Sequence, residues 1–513
     1  MTVNPASSGP VRRVPLSGSR RAPLPGAHRI GPTDPATPVD VTVVLRRAPA
    51  DPRPGTGADP DDIAAIERFA ATQGLEVTDV RPAARSVGLR GPAEAMSRAF
   101  GVDLVDYEIP GGAFRGRVGV VRLPADLAPA VVAVLGLDDR PQASPQVRLA
   151  GRAKPGGDGF VVAHAAASGL KPTEIARWYD FPTDVTGAGQ TVAVIELGGG
   201  YRQEDLDAYF ASLGLPVPAI VPVGVDGATN APGAEADAEV ALDVQVIGAM
   251  ANGVKIVVYF APNSARGFYD AIAAAIHDAD HHPWIVSISW GAPEPTWTAQ
   301  SLDAYDALFA DAGELGVTVY AAAGDHGATD GVAGGGLHVD FPSSSPSVIA
   351  CGGTRLADDP GAEAVWNALA TGGGATGGGV SAHFPLPDYQ RDHGVPARPD
   401  GSAGRGVPDV AAVADPATGY VIRLNDADVV AGGTSAVSPL WSALTALTNE
   451  RSRVRSGAPH KRLYAAPTAL RDILTGGNGG FTAGPGWDGC TGLGVPAGEQ
   501  TVTALSATVD PTT

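Results

Sequence analysis

The chain of 513 residues is poor in cysteine, with only Cys351 and Cys490. Two cysteines do not define a disulfide framework, so a hydrophobic core must hold the fold, and the length is ample for two or three domains. The two thiols could pair in an oxidising compartment. We favour the alternative, in which both stay buried as small apolar residues.

Long apolar runs and an excess of positive charge are also missing. No stretch of 18 apolar residues occurs, so no membrane span is expected. Residues 1–30 lack the continuous apolar core of a standard signal peptide. The formal net charge is −19, which is not the composition of a nucleic-acid-binding protein.

The charge is unevenly distributed along the chain. Residues 1–166 carry 20 Lys and Arg against 17 Asp and Glu, a net charge of +3, which leaves −22 for the remainder. A slightly basic prosegment attracted to a strongly acidic catalytic part would give this asymmetry. Ordinary drift in composition is the alternative explanation.

The first third of the chain has its own organisation. Residues 1–38 are rich in Pro, Arg, Ser and Gly and are predicted to be disordered. Residues 39–140 alternate strand-like and helical patterns in the order βαββαβ, with a last helix predicted over Ala125–Leu135. Residues 141–168 read as a linker because they hold Pro, Gly, Lys and Arg with little periodicity. An exposed linker is a natural processing site, and we expect maturation between about residues 155 and 170.

Residues 169–513 alternate short apolar runs with helical stretches, which predicts an α/β sheet with helices on both faces. The predicted parallel strands are Thr191–Leu197, Lys255–Phe260, Ile285–Trp290 and Val317–Ala323. The predicted helices are Gln203–Leu213, Glu235–Ala251, Ala265–Ile276 and Ala299–Leu315.

The segment from Gly433 to Pro439, Gly-Thr-Ser-Ala-Val-Ser-Pro, opens an apolar, helix-like run. Small residues before Ser435 would let a substrate backbone come close. The N–H groups at a helix start can stabilise a developing oxyanion, so Ser435 is a candidate nucleophile. Taken alone, a serine at this position is more often a helix N-cap.

A histidine base for Ser435 is hard to find. Subtilisin-type proteases carry a similar Gly-Thr-Ser-x-x-x-Pro together with a His-Gly-Thr-His segment, which is absent here. None of the ten histidines lies in such a context. His326 follows Asp325 directly and permits a Ser-His-Asp hypothesis, but that hypothesis leaves the carboxylates described next unexplained.

Three carboxylates are the alternative partners. Glu239 and Asp243 are four residues apart in a predicted helix, and this spacing places both on one face beside an apolar stripe. Asp325 follows an apolar strand in a Gly-bracketed turn, where α/β proteins build active sites. Alone, the pair would read as a solvated helix face and Asp325 as an ordinary turn residue.

In their order along the chain, these three motifs resemble the sedolisins, the serine-carboxyl peptidases, and most of all the kumamolisin type. Ile195–Tyr201, Ser287–Gly291 and Gly484–Asp488 match as well, and the resemblance covers essentially the whole chain. It implies a subtilisin-like catalytic domain preceded by a ferredoxin-like α+β prodomain, which would act as an intramolecular inhibitor.

The resemblance also implies roles for individual residues. Ser435 would be the nucleophile, Glu239 the general base, Asp243 its carboxylate partner and Asp325 the oxyanion acid. An Asp donates a hydrogen bond only when protonated, and two neighbouring carboxylates tend to share a proton, so an acid optimum is expected.

Three further positions match the family outside the bond-breaking groups. Glu196 and Trp290 would extend the carboxylate network, although a strand-end Trp is otherwise usually core. Asp340 resembles a substrate-pocket acid that favours basic side chains, with a solvated strand-end Asp as the alternative.

A single structural calcium ion is implied near the C-terminus. Carboxylates and carbonyls in Gly-rich turns form a hard-oxygen site of the kind Ca2+ prefers. By the resemblance, the ligands would be the side chains of Asp472 and Asp488 and the carbonyls of Ile473, Gly484 and Gly486.

Together these features predict a secreted, self-processing, acid-acting serine-carboxyl endopeptidase that cleaves proteins or peptides through an acyl-enzyme and is monomeric when mature. Secretion and the monomeric state rest on the family alone. The alternatives are a tripeptidyl-peptidase of the same family and a catalytically silent binding protein on the same scaffold.

Overall fold

The structure is a computed structural model that describes residues 12–51, 53, 55–110, 112–150, 169–357 and 362–507. The chain divides into two compact units. The first is Met1–Pro141 with Ser264–Arg266 and Trp297–Ala307, and the second is Gln142–Asn263, Gly267–Thr296 and Leu308–Thr513. Within the described ranges, no helix is long and apolar enough to cross a membrane.

The described residues up to 141 in the first unit form nine strands and two helices. They are β1 (Arg13–Pro15), β2 (His28–Pro32), β3 (Pro38–Leu45), α1 (Pro60–Gln73), β4 (Glu76–Arg81), β5 (Ser86–Pro92), α2 (Ala93–Phe100), β6 (Asp103–Ile109), β7 (Gly112–Val118), β8 (Arg122–Pro124) and β9 (Val131–Leu135). A four-stranded sheet has the order β4-β5-β3-β9, and β2, β6 and β7 form a second sheet. Side chains from the first sheet and from both helices, such as Val43, Phe69 and Phe100, share one buried core.

Two predictions for this unit are wrong. The segment 1–38 contains the strands β1 and β2, which pair with β8 and β6, so its described part is ordered by pairing despite its Pro-rich composition. The segment Ala125–Leu135 holds only a short 3-10 helix, Ala128–Ala130, before β9. The β-branched Val131, Val132 and Val134 favour the extended conformation, in which β9 pairs with β3.

The second unit is built on an eight-stranded sheet with the order β13-β14-β12-β15-β17-β19-β20, in which β23 also pairs with β19. All neighbouring pairs are parallel except β19 with β20. The strands of this unit are β10 (Ser144–Pro145), β11 (Arg148–Leu149), β12 (Thr191–Glu196), β13 (Ala219–Gly224), β14 (Lys255–Phe260), β15 (Ile285–Ile288), β16 (Trp290–Pro293), β17 (Thr318–Ala322), β18 (Asp340–Phe341), β19 (Ile349–Leu356), β20 (Glu363–Val365), β21 (Gly379–Val380), β22 (Gly406–Val407), β23 (Val410–Val413), β24 (Tyr420–Leu424), β25 (Ala427–Gly432), β26 (Leu470–Arg471) and β27 (Val495–Pro496).

The helices after the first unit's α1 and α2 are α3 (Pro172–Trp178), α4 (Gln203–Leu213), α5 (Asp237–Met250), α6 (Ala265–Ile276), α7 (Ala299–Glu314), α8 (Val437–Ser452), α9 (His460–Ala465) and α10 (Glu499–Ser506). The predicted α/β architecture is confirmed.

Helix α5 is buried along its whole length, because it packs against α8 and the sheet rather than presenting one face to solvent. Glu239 and Asp243 are therefore fully buried. The apolar stripe beside them in the sequence predicted only partial burial of this helix face.

The predicted strand Ile285–Trp290 is divided in two. β15 stays in the main sheet, whereas β16 pairs antiparallel with β10 and β18. The chain leaves the main sheet at Ser289, and this frees the hydroxyl and carbonyl of Ser289 for other partners.

The two cysteines are unpaired and buried, as favoured from the sequence. The predicted maturation interval, in contrast, overlaps residues 151–168, which lie outside the described residues.

Candidate active site

Ser435 lies in a 3-10 turn, Thr434–Ala436, directly before α8. Its hydroxyl donates to Glu239 Oε2 at 2.7 Å and lies 3.2 Å from the carbonyl oxygen of Ser289. Both Ser435 and Glu239 are fully buried. The serine thus has a carboxylate within reach of its proton, as the general-base hypothesis requires.

Asp243 lies one helical turn after Glu239 on α5. Both of its carboxylate oxygens accept from the Ser289 hydroxyl, at 2.8 and 2.9 Å, and that hydroxyl is also 3.3 Å from the Ser435 carbonyl oxygen. Ser289 therefore connects Asp243 to the turn that holds Ser435. Sequence reasoning did not single out Ser289.

Glu196, at the end of β12, extends the carboxylate chain. Its Oε2 accepts from Trp290 Nε1 at 2.9 Å, and its Oε1 finds no hydrogen-bond partner within the described part of the chain. The predicted association of Glu196 with Trp290 is thus present in the geometry.

Burial controls the protonation of these three acids. Desolvation raises the pKa of Glu239 and that of Glu196 well above the usual range, and the charge of Asp243 raises both further. Desolvation also raises the pKa of Asp243 to about 8. The Ser435 hydroxyl acts in the opposite direction on the pKa of Glu239, because it stabilises the ionised form by donating to it. The chain of acids therefore retains protons to a higher pH than exposed carboxylates would.

Asp325 follows β17 and faces Thr434, the residue before Ser435. Its Oδ1 accepts from the backbone N–H of Thr434 at 2.8 Å and from the Thr434 hydroxyl at 2.9 Å. Burial raises the pKa of Asp325 to about 6, while Arg148, whose Nε donates to Oδ2 at 3.2 Å, lowers it. Arg148 Nη2 is also 3.0 Å from His326 Nε2, and the Ser435 hydroxyl goes to Glu239, so the geometry does not favour a Ser-His-Asp arrangement.

The described start of the linker, up to Ala150, runs through this site in an extended conformation. On one side of Gln146, β10 pairs with β16, and on the other side β11 pairs with β25. Gln146 N donates to the Ser289 carbonyl at 3.0 Å, and Ser435 N donates to the Gln146 carbonyl at 3.3 Å. The peptide carbonyl of Gln146 thus lies beside Ser435, the candidate nucleophile.

Gly433 makes this close approach possible. Its φ is +97°, and a Cβ there would collide with the Gln146 carbonyl oxygen and lie 2.6 Å from Asp325 Oδ2. Gly433 therefore leaves room for the peptide carbonyl of Gln146; the approach of a substrate at this point stays a prediction. Gln146 and Arg148 were missed, because contacts between a linker and distant residues leave no local pattern.

Asp340, the predicted pocket acid, begins β18 and is fully buried rather than solvated. Its Oδ2 lies 3.5 Å from Gln146 Nε2, so it faces the side chain of the residue held at Ser435.

The five residues proposed for calcium surround one turn. Asp472 Oδ2 accepts from Gly486 N at 2.8 Å, and Asp488 Oδ2 accepts from Gly484 N at 3.3 Å. Asp472 Oδ1 is buried and lacks a partner among the described atoms, which fits a cation site. No group of three or more His, Cys, Asp or Glu side chains that could hold a metal occurs in the described ranges, so any metal here would rely on carbonyl oxygens.

Comparison with known proteins identifies both parts of the chain. Residues 55–140 match the Pro-kumamolisin activation domain and residues 227–466 match the subtilase family. Kumamolisin from Bacillus sp. (strain MN-32) is 45% identical over 96% of both chains. Human tripeptidyl-peptidase 1 is 26% identical over 95% of both chains.

Solved structures agree as well. Pseudomonas sedolisin, a serine-carboxyl proteinase complexed with two molecules of pseudo-iodotyrostatin, matches with a TM-score of 0.58 and 28% identity, covering 66% of this chain and 98% of that one. With its activation domain and its peptidase domain, the chain belongs to the sedolisin family of serine-carboxyl peptidases.

Proposed function

We propose that the protein is an acid-acting serine-carboxyl endopeptidase that cuts its own linker. The observation that carries this proposal is the 2.7 Å hydrogen bond from Ser435 Oγ to Glu239 Oε2, formed beside a linker carbonyl that accepts from Ser435 N. A nucleophile, a base and a bound peptide bond are then in one place.

In the first half of the reaction, Glu239 in its ionised form takes the Ser435 proton as Oγ attacks the carbonyl carbon. The resulting oxyanion accepts from Ser435 N–H and from the protonated carboxyl of Asp325. Glu239 then returns the proton to the leaving nitrogen, the C–N bond breaks, and an ester on Ser435 remains. In the second half, water gives a proton to Glu239 as it attacks the ester, and Glu239 passes that proton to Ser435 Oγ as the ester C–O bond breaks.

The carboxylate chain supports this sequence at acid pH. Burial raises the pKa of all three acids, so the chain of acids retains protons, and the Ser435 hydroxyl opposes this at Glu239 by donating to its ionised form. Asp325 must be protonated to donate, and its pKa of about 6 sets an upper pH for that role.

The path of the linker favours an endopeptidase over a tripeptidyl-peptidase. A tripeptidyl-peptidase must end its binding site three residues before the cut. Here the linker continues further, and Asn263 Oδ1 accepts from the backbone N–H groups of Gln142 and Ala143, four and three residues before Gln146. A chain can therefore pass through this side of the cleft.

The same geometry favours Gln146–Val147 as the first bond that the protein cuts in itself. The linker stays whole at neutral pH because Asp325 is ionised and bound to Arg148, and an ionised Asp cannot donate to the Gln146 carbonyl. Acidification protonates Asp325, weakens its attraction to Arg148 and completes the oxyanion site. Later trimming at 155–170 stays a prediction.

Calcium is a further part of the proposal. The carboxylates of Asp472 and Asp488 converge on the turn of residues 484–486, and a buried oxygen of Asp472 is left for a cation. The ion would stabilise this turn and would not enter the chemistry. A monomeric mature enzyme and an extracellular location follow from the family.

The test is incubation of the full-length chain, Ser435→Ala and Glu239→Gln at about pH 4, where Asp325 carries its proton, followed by intact-mass analysis. We expect the wild type to yield a fragment beginning at Val147 and both variants to stay whole. If the wild type also stays whole and digests no denatured protein, the catalytic proposal is wrong and a silent binding protein becomes the better description.

A further inference from the structure

Two buried carboxyl groups near Ser435 have no part in the bond-breaking steps. Asp330 follows the 3-10 turn Gly327–Thr329 with a φ of +48°, and Asp340 begins β18. Their exposed fractions are 4% and 0%. A Cβ on Gly324 would lie 2.8 Å from Asp330 Oδ1 and 3.6 Å from Asp340 Oδ2, so both carboxyls flank this one glycine.

The two carboxyl groups are close enough for a side-chain hydrogen bond to each other. Two ionised carboxylates have only acceptors, so this contact needs a proton between them. Asp330 Oδ2 and Asp340 Oδ1 are buried without a hydrogen-bond partner among the described atoms, and neither residue forms an ion pair with a described Lys or Arg.

The electrostatic surroundings favour protonation of this pair. Burial raises the pKa of Asp330 to about 8 and that of Asp340 well above its usual range, and each is raised further by a neighbouring acid. The nearby charged groups are Asp325, which adds repulsion, and beyond it Arg148, which is bound to Asp325 and His326. The pair is therefore uncharged in acid and gains negative charge as the pH rises.

Asp340 of this pair contacts the buried side chain of Gln146. Gln146 is 4% exposed, and its Nε2 donates to Asp340 Oδ2 at 3.5 Å. Gly291 in β16 forms part of the same wall, since a Cβ there would collide with Asp340 Oδ1. Because the Gln146 carbonyl faces Ser435, this pocket would bind the side chain on the N-terminal side of the cleaved bond.

We propose that Asp330 is a specificity-determining residue that shares a proton with Asp340 and thereby decides whether the pocket accepts an amide or a cationic side chain. This inference rests on the proposed peptidase function. In acid, the neutral pair accepts a hydrogen bond from an amide such as that of Gln146. At alkaline pH, the pair carries negative charge and a Lys or Arg side chain binds more tightly.

The substitution Asp330→Asn distinguishes a proton-sharing pair from a single acid that acts alone. The introduced side-chain amide would donate to Asp340 and remove a like charge, so the pKa of Asp340 falls and the pocket stays negative at lower pH. A preference for cations should then extend into the acid range. Asp330 itself acts through Asp340 and does not contact the reacting atoms.

The experiment uses the full-length chain with Ser435→Ala, so that the linker stays whole. Gln146 is compared with Gln146→Arg, each with and without Asp330→Asn, at about pH 4 and about pH 9, on either side of the expected titration. The readout is the hydrogen-exchange protection of the residue 146 amide, which donates to Ser289. The Arg-to-Gln protection ratio at one pH cancels the pH dependence of the Arg148 contact.

With Asp330 present, we expect this ratio to rise about tenfold from the lower to the higher pH, the effect of one pKa unit. With Asp330→Asn, the raised ratio should already appear at about pH 4, and with Asp340→Asn it should stay near one throughout. A ratio that is independent of residue 330 and of pH overturns the proposal, even if the chain proves to be a peptidase. Failure of Ser435-dependent cleavage refutes only the proposed function, because this readout needs no catalysis.

Discussion

Arg148 contacts Asp325 at two points, with Nε 3.2 Å from Oδ2 and Nη2 3.1 Å from the main-chain oxygen. The carboxyl that should donate to an oxyanion is therefore held as an acceptor by the linker it would help to cut. The partly exposed Arg148 and the buried Asp325 make this a partly desolvated ion pair, which is stronger than a surface pair.

Replacement of Arg148 by Gln should let self-processing occur at higher pH. Arg148 lowers the pKa of Asp325, so its removal leaves that pKa above about 6 and Asp325 becomes protonated earlier as the pH falls. We expect the pH midpoint of processing to rise by about one unit, a typical effect of a neighbouring opposite charge. The measurement is the rate of linker cleavage against pH by intact mass.

Arg98→Gln is the matched control for Arg148→Gln. Arg98 lies on α2 in an exposed pair with Glu94, 3.7 Å apart, and its loss should leave the processing midpoint unchanged. An unchanged midpoint in Arg148→Gln would show that the ion pair does not govern processing.

Replacement of Trp290 by Phe should reduce activity through Glu196. The indole N–H stabilises ionised Glu196, so its loss raises the pKa of Glu196 further and alters how the carboxylate chain shares protons. We expect a decrease in kcat/KM of about tenfold, the effect of one pKa unit, together with a shifted pH profile.

Trp366→Phe serves as the control for Trp290→Phe. Trp366 is also fully buried, but its Nε1 has no hydrogen-bond partner in the described structure. Its replacement should cost stability without moving the pH profile. Equal profiles in the two variants would assign Trp290 to packing alone.

Replacement of Gly433 by Ala should slow linker cleavage. The added Cβ would collide with the Gln146 carbonyl oxygen, and the φ of +97° is unfavourable for Ala. We expect processing to fall by at least about tenfold, because a small displacement of the bound carbonyl from the nucleophile already costs this much or more.

The strain caused by Ala at a positive φ can be measured in a separate variant. Gly394 has a φ of +78° and open space around a Cβ, so Gly394→Ala introduces strain without a collision. It should lower the melting temperature yet leave processing intact. If Gly433→Ala lowered the melting temperature by the same amount and processed normally, the close approach of linker and site would be refuted.

Calcium removal should destabilise the wild type and not Asp472→Asn. The Asn side chain keeps an acceptor for Gly486 N but lacks the charge that a cation needs. We expect a chelator to lower the melting temperature of the wild type by several degrees and to leave the variant nearly unchanged. An equal response of both proteins to the chelator would contradict the assignment.

The sequence was most informative where a local period sets the geometry. The i, i+4 spacing of Glu239 and Asp243 predicted two carboxylates on one face because α5 is a regular helix. The bounds of α4 and α6 were predicted correctly for the same reason. Burial of the α5 acids was underestimated, because it depends on packing with α8, which is far away in sequence.

Predictions failed where pairing with distant residues decides the conformation. β9 is a strand because it pairs with β3, although its segment has a helix-like apolar pattern. The positions of Gln146 and Arg148 depend on contacts with Ser289, Asp325 and Ser435, which lie far along the chain from the linker. An isolated Arg in a Pro-rich linker gives no signal of such a contact.

The antiparallel pairing of the linker with β16 and β25 determines how occupancy of the site by the linker depends on protein concentration. Because Gln146 is covalently joined to the chain that carries Ser435, its effective concentration at the nucleophile does not depend on how much protein is present. If the Gln146–Val147 bond is cut as proposed, each released end would exchange with free peptides. Inhibition by the linker would then depend on the concentrations of the competing peptides.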